Sequence, residues 1–234
     1  MKTIYWSKFN LLSEVNSQIF DLEPKPIHSE YVKKFGKPID SSANWLSCPA
    51  VINYTKNTFL VKNPLDVSIR INSNNTVDAK TPGASMLIGI RDFNEKSIVL
   101  DYFINISLFS ESVISVSQIS PYMEDNLSKG SYLIPGKFNT GEWFRPLNAS
   151  YFIKDKDVDF LLKKDDPLYY LVFDTDDKIE FKEFYYTDSL IEIVNSTVGL
   201  KRYKKNIPLM NLYDMFKEQK LDKIVLKEIK KGLI

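Results

Sequence analysis

Residues 134–148 read IPGKFNTGEWFRPLN and residues 163–173 read KKDDPLYYLVF, and these two stretches decide the fold class. A Pro-Gly turn and a second turn with glycine come before a long strand that ends at Ile153. A polar turn with Asp-Pro then comes before an apolar strand that ends at Phe173. Apolar, aromatic and β-branched runs separated by such turns predict strands. The order is typical of two hairpins in a jelly roll.

The same pattern extends from about Trp45 to Phe184. Turn residues such as Asn63-Pro64 and Thr81-Pro82-Gly83 separate apolar runs. About ten short strands with regular turns predict a mainly β, jelly-roll-like β-sandwich. The predicted strands are Ala50–Tyr54, Thr58–Lys62, Asp66–Ile71, Ser85–Arg91, Ile98–Leu108, Val113–Gln118, Trp143–Ile153, Asp159–Lys163, Leu168–Phe173 and Lys178–Phe184.

The two ends of the chain have a different character. Residues 1–44 are predicted to form an irregular lead-in, with one short strand at Thr3–Trp6 and three prolines, Pro24, Pro26 and Pro38, that argue against a long helix. Residues 45–185 form the β domain, and residues 186–234 form a C-terminal helical appendage. Its three predicted helices are Asp188–Leu200, Pro208–Lys217 and Asp222–Lys231. We expect this appendage to pack on its own domain rather than on a neighbouring subunit.

Composition excludes much of the catalytic repertoire. The 234 residues include one histidine, His28, and one cysteine, Cys48. Zinc sites and Ser-His-Asp triads draw on histidine and cysteine, so neither is expected, and we predict no metal and no cofactor. We expect Cys48 to be a small buried hydrophobic residue and His28 to cap or face solvent. These features favour a protein that is not an enzyme, with no catalytic residue assigned.

Charge and hydropathy narrow the choice of partners. The chain carries 31 basic and 30 acidic residues, for a net charge of +1. This balance argues against nucleic acid as a partner, and the one basic cluster, Lys201-Arg202-Tyr203-Lys204-Lys205, is expected to be a solvated helix end. No apolar segment is long enough to span a membrane, and the N-terminus does not resemble a signal peptide.

The stretch from Ile134 to Phe173 resembles the dUTPase and dCTP deaminase pattern, in which a Pro-Gly turn precedes a strand and a Gly-Asp-Pro/Arg turn leads into a final core strand. The resemblance covers about a sixth of the chain. That family has an aspartate shortly after the Pro-Gly turn, where this chain has Asn139. Asparagine is not a general base, so the resemblance implies a shared β-roll and not that activity.

A longer resemblance spans roughly residues 45–185 and involves an uncharacterised family encoded by tailed phages of marine bacteria and by other large viruses. The segments that carry it are Trp45-Leu-Ser-Cys-Pro-Ala50, Asn57-Thr-Phe-Leu-Val-Lys-Asn-Pro64, Ile119-Ser-Pro-Tyr122 and Gly141-Glu-Trp-Phe-Arg-Pro146. It implies a viral context but no mechanism. Together with the lone cysteine, it places the protein in the host cytoplasm or in a virion.

Five residues are candidates for a ligand site. Trp143 and Arg145 could form a platform with the arginine as an anion fork, and Glu142, Asp101 and Tyr151 could join it. The competing interpretation is that the aromatic residues belong to the core and that the arginine pairs with a loop carboxylate.

Two hypotheses about function follow. In the first, the chain is a non-enzymatic phage-type protein, a virion or assembly component or a binding module, that associates with itself or with other virion proteins. In the second, it binds a small molecule, a nucleotide or a sugar, in a pocket of the β-roll, as a binding protein or an enzyme.

Overall fold

The computed structural model describes residues 1–9, 20–36, 44–72, 74, 76–124, 130–203 and 209–234. Strands dominate, and helices follow them at the C-terminal end. The predicted fold class, a mainly β, jelly-roll-like sandwich with a C-terminal helical appendage, is therefore confirmed. No helix within these ranges has both the length and the apolar character to cross a bilayer.

The elements are as follows in chain order. The strands are β1 (Lys2–Phe9), β2 (Lys25–Pro26), β3 (Thr58–Lys62), β4 (Val67–Ile71), β5 (Val77–Ala79), β6 (Ile88–Asp92), β7 (Ile98–Ser110), β8 (Ile114–Ile119), β9 (Ser131–Leu133), β10 (Gly136–Thr140), β11 (Pro146–Ile153), β12 (Val158–Leu162), β13 (Pro167–Phe173) and β14 (Ile179–Glu183). The helices are α1 (Ile27–Phe35), α2 (Pro49–Thr55), α3 (Asp188–Tyr203), α4 (Leu209–Glu218) and α5 (Leu221–Lys231), and Trp45–Ser47 and Ala84–Leu87 are short 3-10 turns.

Three sheets share these strands. The first has the order β14-β1-β7-β11-β9, with β6 also paired to β7. The second has the order β10-β8-β13-β3-β2, and a small third sheet has the order β12-β4-β5. The pairings within these sheets are antiparallel, except that β1 and β14 are parallel. Antiparallel pairing of this kind is what short connections allow.

The core lies between the sheets. In β11 and β8, every second residue is buried, as the two-residue period of a half-buried strand requires. Aromatic rings join the sheets: Phe59 of β3 lies 4.8 Å from Phe181 of β14, and Tyr151 of β11 lies 5.0 Å from Phe160 of β12, between ring centroids.

The C-terminal helices pack on their own chain. A second apolar cluster joins Tyr5 and Phe109 of the first sheet to Leu190 of α3, Phe216 of α4 and Ile229 of α5. After α5, the backbone N–H of Tyr185 donates to the carbonyl oxygen of Gly232 at 2.8 Å. The appendage is thus attached to the sheet both by side chains and by backbone.

Several predicted elements differ from the structure. The predicted strand Ser85–Arg91 starts within the 3-10 turn Ala84–Leu87, and the predicted strand Trp143–Ile153 begins only at Pro146. Ala50–Tyr54 is not a strand but lies in α2, because Pro49 occupies the first helical turn, where its missing N–H costs nothing. The lead-in contains the nine-residue α1, which begins directly after Pro26. Pro38, Pro208, Lys204 and Lys205 lie outside the described residues.

The packing of α5 makes a stability prediction. Ile229 is fully buried, whereas Ile224 on the same helix is 46% exposed. We expect Ile229→Ala to lower the free energy of unfolding by about 2–5 kcal/mol, because it removes buried methyl groups and leaves a cavity. Ile224→Ala makes the same chemical change on the exposed face and should cost much less. Urea denaturation of both variants checks this, and equal losses would contradict the packing of α5 on the sheet.

Candidate functional site

Three of the five predicted site residues come together in the turn between β10 and β11. Gly141 has a φ of +85°, and a Cβ there would lie 2.9 Å from the carbonyl oxygen of Ser110, so the turn requires glycine. Glu142, Trp143 and Arg145 follow it. Trp143 is buried and stacks on Tyr213 of α4, with ring centroids 4.7 Å apart and planes inclined by 24°.

The polar groups of this turn are unequally satisfied. Glu142 accepts a hydrogen bond from Asn139 Nδ2 at 2.8 Å and lies 3.7 Å from Lys217 Nζ of α4. Within the described part of the chain, Arg145 makes no ion pair or hydrogen bond, and the buried indole Nε1 of Trp143 has no hydrogen-bond partner. Both residues line a cavity of about 10 Å³ that Tyr213 also borders. We call this cavity and its lining the indole cavity.

Asp101 lies elsewhere, on β7. It is 9% exposed and accepts two hydrogen bonds from Arg91, at 2.7 and 2.8 Å, and one from Ser150 Oγ at 2.6 Å. The hydrogen bonds to Asp101 raise the pKa of the Arg91 guanidinium. A carboxylate satisfied in this way stabilises the pairing of β6, β7 and β11 and leaves little capacity for a ligand.

Tyr151 faces the opposite side of the sheet from Asp101. It pairs with Leu100 in the register of β11 and β7, whereas Ser150 pairs with Asp101, so the two candidates point to different faces. Tyr151 is fully buried, and burial raises the pKa of its hydroxyl far above the usual value. The five predicted residues therefore occupy three separate environments.

The two rare side chains do not form a catalytic pair. His28 Nε2 lies 3.0 Å from the carbonyl oxygen of Leu46, a contact that holds α1 against the 3-10 turn at Trp45–Ser47. Cys48 was expected to be buried but is exposed, because it immediately precedes α2 at the surface. The residues that the structure describes contain no group of three histidine, cysteine or acidic side chains able to hold a metal ion.

A surface that the sequence did not indicate lies on the side of α1 and α2. Six aromatic rings form a continuous series there. Trp45 contacts Phe35 and Tyr31 at 5.8 and 6.1 Å between ring centroids. The hydroxyls of Tyr31 and Tyr170 lie 2.9 Å apart. Beyond them the rings of Tyr170 and Tyr122, and then of Tyr122 and Tyr54, lie 5.0 and 5.6 Å apart.

Four of these six rings are exposed to solvent. Phe35, Trp45 and Tyr122 are 45, 41 and 41% exposed, and Tyr54 is 64% exposed. We call these four side chains the aromatic surface. The exposed rings form two touching pairs, Phe35 with Trp45 and Tyr54 with Tyr122, and the buried Tyr31 and Tyr170 lie between the pairs. Exposed clusters of aromatic side chains are typical of a contact with another molecule.

A charged cleft borders the aromatic surface and has a volume of about 380 Å³. Its wall contains charges of both signs. Glu30 pairs with Lys33 at 2.7 Å and with Lys62 at 2.8 Å, and Lys34 pairs with Glu124. Asp165 and Asp166 also line the cleft.

Two groups in the charged cleft have shifted pKa values. Partial burial opposes ionisation of Glu30, but hydrogen bonds from Lys33 and Lys62 outweigh it and hold the pKa of the carboxyl below its usual value. Burial raises the pKa of Asp166, and the neighbouring Glu124 adds to that shift. The cleft thus holds one carboxylate that ionises readily and one that ionises less readily than usual.

No family model, no curated protein and no solved structure matches this chain. A proposal about function therefore draws on the residues and the geometry of this chain.

The Glu30 network makes a prediction about pH. A lowered pKa in the folded state contributes stability that is present above the unfolded value of 4.5 and is lost as the pH falls through the folded value. We expect Glu30→Gln to lower the free energy of unfolding by roughly 1 kcal/mol at neutral pH and by less at an acidic pH below 4.5, where the carboxyl becomes protonated. Chemical denaturation at the two pH values measures this difference.

The exposed Glu95 provides the control, because Glu95→Gln makes the same change in the turn before β7. It should leave stability unchanged at both pH values. A loss for Glu30→Gln that is as large at low pH as at neutral pH would contradict the assigned role of the carboxylate charge.

Proposed function

We propose that this chain is a non-enzymatic phage-type protein, a virion or assembly component, that acts by binding a second copy of itself through the aromatic surface. The observation that carries the proposal is the continuous series of aromatic rings on the α1 and α2 side, four of them open to solvent. The viral context is supported by the sequence resemblance over residues 45–185.

The arrangement of polar groups favours binding over catalysis. Asp101 is neutralised by Arg91, Glu30 by two lysines, and His28 is directed at a backbone carbonyl. In the charged cleft, Glu30 pairs with Lys33 and Lys62, and Lys34 pairs with Glu124. These ion pairs engage the side chains that a catalytic acid, base or nucleophile would need.

The charges beside the aromatic surface favour a second copy as the partner. The lining of the charged cleft includes Lys33 and Lys34 and also Asp165 and Asp166. In a two-fold contact, the same patch meets itself, so a patch that carries both signs of charge can pair its lysines with carboxylates of the other copy. A net charge of +1 adds little long-range repulsion between copies.

Substitution of the exposed rings tests the proposal. We expect the unaltered protein to form a closed oligomer in light scattering at increasing concentration. Trp45→Glu and Tyr54→Glu should each weaken association by roughly 30-fold or more, because each removes an aromatic anchor and adds a charge to the contact.

Tyr132→Glu is the matched control. Tyr132 is 58% exposed but belongs to β9, at the edge of the first sheet and away from the aromatic surface. It should leave association unchanged. A monomeric protein at all concentrations, or an oligomer that persists in both Trp45→Glu and Tyr54→Glu, would overturn the proposal.

A further inference from the structure

The indole cavity is lined by a buried hydrogen-bond donor without a partner and by an arginine that pairs with no described side chain. Trp143 is only 7% exposed, and its buried indole Nε1 has no hydrogen-bond partner. A buried donor without a partner is destabilising, so a tightly packed site normally satisfies it. Arg145, partly buried beside it, has no carboxylate or other acceptor within the described ranges. Trp143 and Arg145 line the same small space.

The nearest carboxylate does not fill this role. Glu142 is adjacent in sequence, but its oxygens are engaged by Asn139 Nδ2 and face Lys217 Nζ of α4. Its charge is thus balanced on the α4 side, and Arg145 keeps its positive charge uncompensated by side chains of the described chain. The competing interpretation is confirmed for the aromatic residues, because Trp143 and Phe144 belong to the core, but no described loop carboxylate pairs with Arg145.

The size of the cavity limits what can enter it. A volume of about 10 Å³ is close to the minimum that holds one water-sized atom. The apolar side chains of Leu108, Phe138 and Leu147 complete the lining. The space therefore accepts a single oxygen atom and excludes a whole sugar or base.

Donor type and size together define the ligand. A guanidinium presents paired N–H donors that match the oxygens of a carboxylate or a phosphate, and an indole N–H donates to one further oxygen. We propose that the indole cavity is an oxyanion-binding site, in which one oxygen of a carboxylate or phosphate group enters the cavity at Trp143 while Arg145 binds the rest of the group at its mouth.

The site also joins the β-sandwich to the helical appendage. Trp143 and Arg145 belong to the sandwich, whereas Tyr213, which stacks on Trp143, belongs to α4. An oxyanion in the cavity lies beside Tyr213 of α4. Its binding therefore stabilises the packing of α4 against the sheet. This inference does not depend on the aromatic surface, which lies on the α1 and α2 side.

Nuclear magnetic resonance of the indole N–H groups tests the proposal. The protein has three tryptophans, and Trp143→Phe identifies the signal of Trp143 by its loss. We expect titration with inorganic phosphate or with acetate to shift that signal saturably. Stronger binding of phosphate would assign a phosphate ligand, and stronger binding of acetate would assign a carboxylate ligand.

Arginine variants separate this site from general charge effects. Arg145→Gln should weaken binding by about tenfold or more, because it removes the charged donors, and Arg145→Lys should recover part of the loss. Arg70→Gln removes one positive charge from β4, where Arg70 pairs with Asp159, and should leave binding unchanged. The proposal is overturned if neither anion gives a saturable shift, or if Arg145→Gln and Arg70→Gln respond alike.

Discussion

The burial of β7 is the constraint on which the rest of the structure depends. This thirteen-residue strand pairs with β11 along one edge, and with β6 and β1 in succession along the other. Each of its backbone polar groups can then be satisfied although nearly all of its side chains are buried. On one face, Tyr102 donates at 2.9 Å to Asn63 Oδ1, and the Asn63 amide in turn bonds the carbonyl oxygens of Leu65 and Lys163. The strand thereby links the first sheet to the loops that join the other two.

The same strand separates the two surfaces of interest. Its C-terminal end, at Phe109, meets the aromatic side chains that hold the helical appendage, including Phe144 at 5.8 Å between ring centroids. The indole cavity lies at this end, at the junction with α4. The aromatic surface lies on the side of the other sheet, where α1 and the 3-10 turn at Trp45–Ser47 cover Leu60 and Tyr170. The indole cavity and the aromatic surface share no residue, so a substitution in one does not remove a contact of the other.

Much of the fold could be predicted from local pattern, and the errors have identifiable physical causes. Strands such as Thr58–Lys62 and Leu168–Phe173 could be predicted because β-branched and aromatic runs between turn residues have few alternatives. Ala50–Tyr54 has a similar composition, yet Pro49 starts a helix there, so a single boundary residue outweighed strand propensity.

The turn at Glu142–Arg145 could be recognised as a candidate site because its residues are adjacent in sequence. The aromatic surface could not, because Phe35, Trp45, Tyr54 and Tyr122 come from four separate segments that only the folded chain brings together.

Hydrogen exchange of the unaltered protein over a range of concentrations tests the central claim, that the aromatic surface is where two copies meet. The account predicts that backbone amides in residues 30–36, 44–55 and 120–124 exchange more slowly as the concentration rises, while those in residues 131–134 of the opposite sheet do not change. Protection that appears elsewhere, or exchange that is independent of concentration in all of these segments, would contradict it.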